Sequence, residues 1–264
     1  MKQQLYTVSF VATIVGGELL GKSNHSIKFL ETDSRKIRFP EEAAFFCLQS
    51  QQRNGHQFIS SCYNYGVRCF IISNSIEINQ FPDAAFIVVD NVLKSLQKLA
   101  SYHREQFNCQ VIGITGSNGK TIVKEWLNHL LQPTVKIIRS PKSCNSQIGV
   151  PLSVWQLSAD FELGIFEAGI SKVGEMVNLE EIIQPTIGIL THIGDAHSEG
   201  FSSLKEKILE KLQLFKKAEL IIYNQDQIEV KELVEKAGGL TSNVDSSNII
   251  LDTEVLDGQV IRIE

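Results

Sequence analysis

From residue 110 to residue 239 the sequence alternates apolar runs with amphipathic stretches, and few folds accept that order. "CQVIGIT" (109–115), "ELGIFEAG" (162–169), "TIGILTHIG" (186–194) and "ELIIYN" (219–224) read as strands. "TIVKEWLNHLL" (121–131), "GEMVNLEEII" (174–183), "SLKEKILEKLQLF" (203–215) and "QIEVKELVEKAGG" (227–239) carry apolar residues at helical spacing. The strands are continuously apolar, so both faces of their sheet need cover. The expectation is an α/β unit built on a mostly parallel sheet.

The first hundred residues read differently. "AAFFCL" (43–48), "VRCFIIS" (67–73) and "AAFIVVD" (84–90) are strand-like runs, with "SSCYNYG" (60–66) as the end of a helix between the first two. "NVLKSLQKLASYHREQF" (91–107) has helical spacing at Val92, Leu96, Leu99 and His103 and bridges to the second half. "TVSFVATIVGG" (7–17) has the outline of a short signal segment after Lys2, but Glu18 follows at once and no small-residue cleavage site appears. The simpler reading is a helix from Val8 to Val15 stopped by Gly16 and Gly17.

Composition excludes some classes. The net charge of -5 is spread without a basic tract, which argues against nucleic acid as a partner. No apolar run approaches a membrane span. Five cysteines form an odd set with no C-x-x-C pair, as expected of reduced thiols in the cytoplasm.

In a parallel sheet, ligands bind at the carboxyl ends of the strands, so polar residues there come first. "VIGITGSNGKT" (111–121) places glycines at 113, 116 and 119 before Lys120 and Thr121. The common phosphate loop, G-x-x-x-x-G-K-[ST], would need a glycine where Ile114 stands. The strand–loop–helix context still favours phosphate over a turn that binds nothing, because loop N–H groups and a helix N-terminus attract anions. Glu167 ends the next strand, and His192, Asp195 and His197 follow the third. Each alone reads as a solvated or structural residue; together, at several strand ends, they suggest a hard-cation site.

On the helix from Leu204 to Phe215, a wheel puts Leu204, Ile208, Leu212 and Phe215 on one stripe. Lys211 falls inside it, Lys205 at its margin and Lys207 outside. Two readings stay open for Lys211. Burial would favour the neutral amine, which is nucleophilic and can add CO₂ to give a carbamate. The wheel alone favours a lysine that snorkels to the surface.

"GITGSNGKT", "NSQIGVPL", "FEAGISKVGEM", "AHSEGF" and "EKLQLF", in this order, resemble the Mur ligases of peptidoglycan synthesis. The N-terminal "TDSRKIRFPEEAAFFCL" and "NGHQFI" are similar to that family's UDP-binding domain. "AHSEGFSSL" points to the branch that adds D-alanyl-D-alanine to UDP-N-acetylmuramoyl-tripeptide, and the likeness is nearest to the ligase half of a ligase–alanine racemase fusion. The resemblance implies a UDP-sugar-binding domain with its linker helix at 1–107 and an ATP-binding central domain, incomplete, at 108–264.

It implies that Gly116, Ser117, Asn118 and Gly119 cradle ATP phosphates, with Lys120 and Thr121 serving phosphates and Mg²⁺ and Asn145 near the nucleotide. Glu167 and His197 match Mg²⁺ ligands, Lys211 the carbamylated lysine, and Ser34 and Arg35 the UDP-sugar contacts. This reverses the wheel's preference for Lys211. His192 stands where the family usually has asparagine, and Gln49-Ser50 replaces a small-residue–glycine step.

The implied reaction is amide formation through an acyl phosphate, with Lys120, Lys211 and His197 in catalytic roles. Rivals are a small-molecule kinase, a ligase of the branch that adds a single amino acid, and a nucleotide-binding module without turnover. "VIRIE" (260–264) reads as a strand interrupted, so the expectation is a fragment lacking the family's third domain and any racemase half. Residues 1–264 alone are then expected to release no phosphate from ATP with UDP-tripeptide and D-alanyl-D-alanine. Robust turnover would contradict that.

Overall fold

The computed structural model describes residues 5–21, 24–50, 53–194, 200–224 and 226–237. The chain divides into two compact units: Met1–Phe107 with Val154–Asp160, and Asn108–Ser153 with Phe161–Glu264.

The first unit runs β1 (Tyr6–Thr7), α1 (Val8–Val15), β2 (Glu18–Gly21), β3 (Ser26–Ile27), β4 (Phe29–Glu31), β5 (Ala43–Phe46), α2 (Ile59–Tyr65), β6 (Cys69–Ile72), β7 (Ala85–Val88) and α3 (Val92–Arg104). Its main sheet has the order β2-β7-β6-β5-β4. β4 to β7 are mutually parallel and β2 closes the edge antiparallel to β7. The helix read at Val8–Val15 forms as expected. The Thr7 hydroxyl accepts from the Phe10 N–H, and Gly16 closes the helix at φ 73°. Val92, Leu96, Leu99 and His103 are all buried, so the spacing found the inward face of α3. Phe45, Phe70 and Phe86 fill the core, with the last two rings stacked.

The segment 154–160 belongs to this unit, and its anchors explain why. The Trp155 indole N–H donates to the Lys28 carbonyl at 2.8 Å. The His103 ring lies between the Tyr6 hydroxyl at 2.8 Å and the Leu157 carbonyl at 3.0 Å. A carbonyl needs a donor, so His103 carries its proton on Nε2, and Nδ1 accepts from Tyr6.

The second unit runs β8 (Gln110–Thr115), α4 (Lys120–Leu131), β9 (Ile137–Arg139), α5 (Gly149–Val154), β10 (Leu163–Glu167), α6 (Glu175–Ile183), β11 (Ile187–Leu190), α7 (Leu204–Leu212), β12 (Leu220–Tyr223) and α8 (Ile228–Ala237). All five strands are parallel in the order β12-β11-β8-β10-β9. Val123, Leu127 and Leu131 of α4 pack on Ile112, Ile114, Leu163 and Ile165. Among the described residues, no helix is long and apolar enough to cross a membrane.

Burial pushes His103 down to about 4. Its unfolded value is about 6.5, so below that pH the unfolded chain takes up a proton that the folded chain refuses. Stability is therefore expected to hold above neutrality and to fall as pH drops from about 6.5 toward about 4. Denaturant midpoints of the wild-type chain and of His103→Asn across that range check this. An identical slope in both would refute it.

Candidate functional site

The crossover from β8 runs to β9 at one edge of the sheet, and the later crossover from β10 passes β8 in the opposite direction to reach β11 on its other side. Such a switch point opens a crevice at the strand's carboxyl end. The glycine loop fills it. Gly116 has φ 151°, and a Cβ there would collide with the Thr191 hydroxyl at the end of β11. Gly119 has φ 85° and opens directly into α4. A side chain at 116 would push the loop off β11, which is why the spacing needs glycine.

The loop's polar groups face inward. The N–H groups of Ser117 and Asn118 donate to the His192 carbonyl at 2.8 and 3.3 Å. Thr191 Oγ1 donates to the Asn118 carbonyl at 2.7 Å. Lys120 Nζ reaches the carbonyls of Gly116 at 2.8 Å and Ser117 at 3.2 Å. Burial lowers the Lys120 pKa, opposed by the nearby Glu167 carboxylate.

Glu167 is fully buried at the end of β10. Its Oε2 accepts from Thr121 Oγ1 at 3.0 Å and lies 3.5 Å from Asn145 Nδ2. Thr121 Oγ1 is also 3.2 Å from Ser143 Oγ. Oε1 lies 2.8 Å from Lys124 Nζ, but that ammonium aims its hydrogen bonds at the carbonyls of Ser140 and Lys142. Oε1 therefore has charge beside it and no aligned hydrogen bond. The other oxygen, Oε2, faces the Thr121 hydroxyl with Ser143 Oγ beyond it, and a carboxylate oxygen beside two hydroxyls suits a hard cation such as Mg²⁺. Among the described residues no three His, Cys, Asp or Glu side chains cluster, so the donors here are Glu167 and hydroxyls. Asp195 and His197 lie outside the described residues.

Lys211 is buried, and its Nζ lies 3.2 Å from the Gly116 carbonyl that also holds Lys120. Burial first, then the charges of Lys120 and Lys207, push its pKa down to about 7. The snorkelling alternative is thus excluded. The wheel misplaced Lys207, however. It is buried, and its Nζ reaches the Gly194 carbonyl at 2.5 Å. Leu204, first on the apolar stripe, is exposed instead. A wheel assigns one inward face, whereas α7 makes buried contacts on two: Glu210 accepts from the Gly174 and Met176 N–H groups, and Lys207 donates to the Gly194 carbonyl.

The structure thus gathers Gly116, Ser117, Asn118, Gly119, Lys120, Thr121, Asn145, Glu167 and Lys211 within the second unit. Ser34 and Arg35 lie in the first, just after β4. Arg35 is exposed and forks onto Asp33 at 2.9 and 2.8 Å, holding that carboxyl down at about 2. After β5 and β6, His56 joins two loops: its Nε2 accepts from the Ser73 N–H at 3.1 Å, and its Nδ1 lies 3.0 Å from Asn54 Oδ1. Sequence reasoning assigned no role to His56, Lys124, Ser143 or Thr191. Lys124 had a signal, since it stands four residues after Lys120 and shares its side of the helix.

A family model described as the Mur ligase middle domain matches residues 114–250. The chain is similar to a UDP-N-acetylmuramoyl-tripeptide–D-alanyl-D-alanine ligase of Borreliella burgdorferi, 34% identical over 75% of this chain and 45% of that one. It is 30% identical to the Bacillus subtilis enzyme of the same name over 84% of this chain and 49% of that one. Its fold matches MurF from Acinetobacter baumannii with a TM-score of 0.77 at 23% identity, covering 88% of this chain and 53% of that one. It matches MurF ligase from Thermotoga maritima in complex with ADP with a TM-score of 0.70 at 24% identity, over 79% and 48%. The chain spans about half the length of the curated relatives it matches.

Replacing Lys207 removes a buried side chain and the donor to the Gly194 carbonyl. Lys207→Ala is expected to lower stability by about 1–3 kcal/mol, and Lys205→Ala, on an exposed position, by less than about 0.5 kcal/mol. Denaturant titration of both variants checks this; equal effects would contradict the burial of Lys207.

Proposed function

The chain belongs to the Mur ligase family, and from that premise we propose that it carries the nucleotide site and the UDP-precursor domain of a UDP-N-acetylmuramoyl-tripeptide–D-alanyl-D-alanine ligase. The observation that carries this reading is the meeting of Lys120, Thr121, Glu167 and Lys211 around one glycine loop. A small-molecule kinase has no need of the last of these.

In the proposed reaction a carboxylate oxygen of the tripeptide attacks the γ-phosphorus of ATP. The bond to the β–γ bridging oxygen breaks, and ADP leaves. The amine of D-alanyl-D-alanine then attacks the acyl carbon, phosphate leaves and the amine's proton passes to solvent. An anion must approach a polyanion, so the first demand is fixed positive charge. Phosphate oxygens replace the Gly116 and Ser117 carbonyls as partners of Lys120. Loop N–H groups and the start of α4 hold the same phosphates. Thr121 and Glu167 would hold Mg²⁺, joined through the resemblance by His197 and a carbamate on Lys211. When bound, Mg²⁺ offsets charge on the terminal phosphates.

Lys211 is suited to that modification. With its pKa pushed down to about 7, much of it is neutral amine near neutrality. The amine adds to CO₂, an N–C bond forms and a proton leaves to solvent. Ser34 and Arg35 would serve the UDP-sugar, at the end of a parallel strand where ligands of such sheets bind. None of the five cysteines forms a disulfide, which suits the cytoplasm, where this precursor would be met.

Two measurements test the reading. Lys120→Ala is expected to weaken ADP binding to the chain by about tenfold or more while the fold persists; unchanged affinity would refute the loop assignment. In the full-length protein, Lys211→Ala is expected to abolish most phosphate release with UDP-tripeptide, ATP and D-alanyl-D-alanine, and added acetate or formate to restore part of it. Full activity of Lys211→Ala would exclude the lysine's role.

A further inference from the structure

Lys124 takes no part in the reaction described above, yet among the described residues it is, with Glu167, fully sealed from solvent. Its side chain and that of Glu167 are both 0% exposed, with Nζ and Oε1 2.8 Å apart. The ammonium also donates to the Ser140 carbonyl at 2.8 Å and to the Lys142 carbonyl, and it lies 3.2 Å from Glu125 Oε1. Lys120 and Lys124 point from the same flank of α4 but differ in kind. Lys120 rests on loop carbonyls that phosphate can replace. Lys124 is enclosed beneath Glu167 and cannot reach a phosphate.

A buried ion pair is weak evidence for stability, because apolar residues of similar volume often serve as well. Here the pair has a geometric consequence. With Oε1 against Lys124, Glu167 is left to present Oε2 to the Thr121 hydroxyl and Asn145. The same ammonium fixes the loop after β9, through Ser140 and Lys142, and that loop carries Ser143 and Asn145. Ser140 closes the frame by accepting from the Glu167 N–H at 3.2 Å. One cation thereby orients the carboxylate, the loop and the Ser143 hydroxyl beside Thr121.

We propose that Lys124 is a positioning residue for the divalent cation, holding Glu167 so that a single oxygen faces Thr121. This rests on the reading of the site given above. A structural role alone would leave the metal dependence of nucleotide binding untouched. Coulomb's law alone gives the opposite sign, because removing a nearby cation should strengthen binding of a divalent one. A loss confined to the metal-dependent part therefore reports orientation.

The test is ADP affinity of residues 1–264, measured by calorimetry with Mg²⁺ and again with EDTA, alongside Mn²⁺ binding by electron paramagnetic resonance. In Lys124→Met the gain in affinity from Mg²⁺ is expected to shrink about tenfold, as for other groups that orient metal ligands, with EDTA affinity unchanged within about twofold. Mn²⁺ binding with ADP should weaken in parallel, and Glu125→Gln should leave both intact. A full Mg²⁺ gain in Lys124→Met, or an equal loss with EDTA, would overturn the proposal. If Lys124→Met does not fold, Lys124→Met/Glu167→Gln is compared with Glu167→Gln. The two are expected to share one Mg²⁺ gain within about twofold, and a further loss of about fivefold or more in the double variant would overturn it. Lys120→Ala separates the premises. If it weakens ADP binding while Lys124→Met keeps the Mg²⁺ gain, only this inference falls. If Lys120→Ala has no effect, or the unsubstituted chain binds no ADP, the site reading falls and this inference with it.

Discussion

β8 is bonded to β10 on one side and β11 on the other, and it is buried from Val111 to Thr115. Everything chemical in the second unit depends on that enclosure. A strand with two parallel neighbours cannot move its end without moving theirs. Thr115 shows this directly: its hydroxyl donates to the Ala168 carbonyl just past β10, and its own carbonyl accepts from Thr191 just past β11. The loop that follows begins from a fixed point. Gly116 is then the one residue that can turn beneath the Thr191 hydroxyl, and the turn delivers Lys120 and Thr121 to the first positions of α4. Glu167 arrives from β10 by the same logic, at the matching end of a parallel neighbour.

Much of this was legible in the sequence because it follows from period and punctuation. Uninterrupted apolar strands separated by helices specify a covered parallel sheet. Glycines before a Lys-Thr pair specify a phosphate-type turn at a strand end. What escaped has common causes. β4 and β9 have three residues each, too few for any periodicity to show. The segment 154–160 belongs to the first unit through one indole and one imidazole bond, each to a distant carbonyl, and a sequence does not display carbonyls. Lys207 defeated the wheel because hydrophobicity marks one inward face and α7 makes buried contacts on two. Lys124 was passed over because a lysine in a helix reads by default as solvated. The buried carboxylate of Glu167 and the carbonyls of Ser140 and Lys142, all distant in sequence, give it a reason to be inside.

The loop also holds itself ready. The N–H groups of Ser117 and Asn118 are taken by the His192 carbonyl, and Lys120 lies on the loop's own carbonyls. In the proposed site an anion would have to displace bonds already made, so its net gain is the difference between charge-assisted and neutral hydrogen bonds. The chain thereby avoids orphaned donors when phosphate is absent, since unpaired buried donors are costly. Lys120 tolerates the exchange because both of its current partners are carbonyls, weaker acceptors than phosphate.

The shared carbonyl of Gly116 ties the two halves of the chemistry together. Lys120 and Lys211 both place an ammonium nitrogen on it, at 2.8 and 3.2 Å. Burial first, and then the nearby charges of Lys120 and Lys207, favour the neutral form of Lys211, whose pKa falls to about 7. Lys120 can stay charged because Glu167 is near it and a polyanion is its proposed partner. The site therefore sorts two chemically identical side chains by surroundings alone. One is kept as a cation for phosphate, and the other is kept close to a neutral amine. That division of roles depends on where each helix meets the sheet, and no property of lysine itself would reveal it.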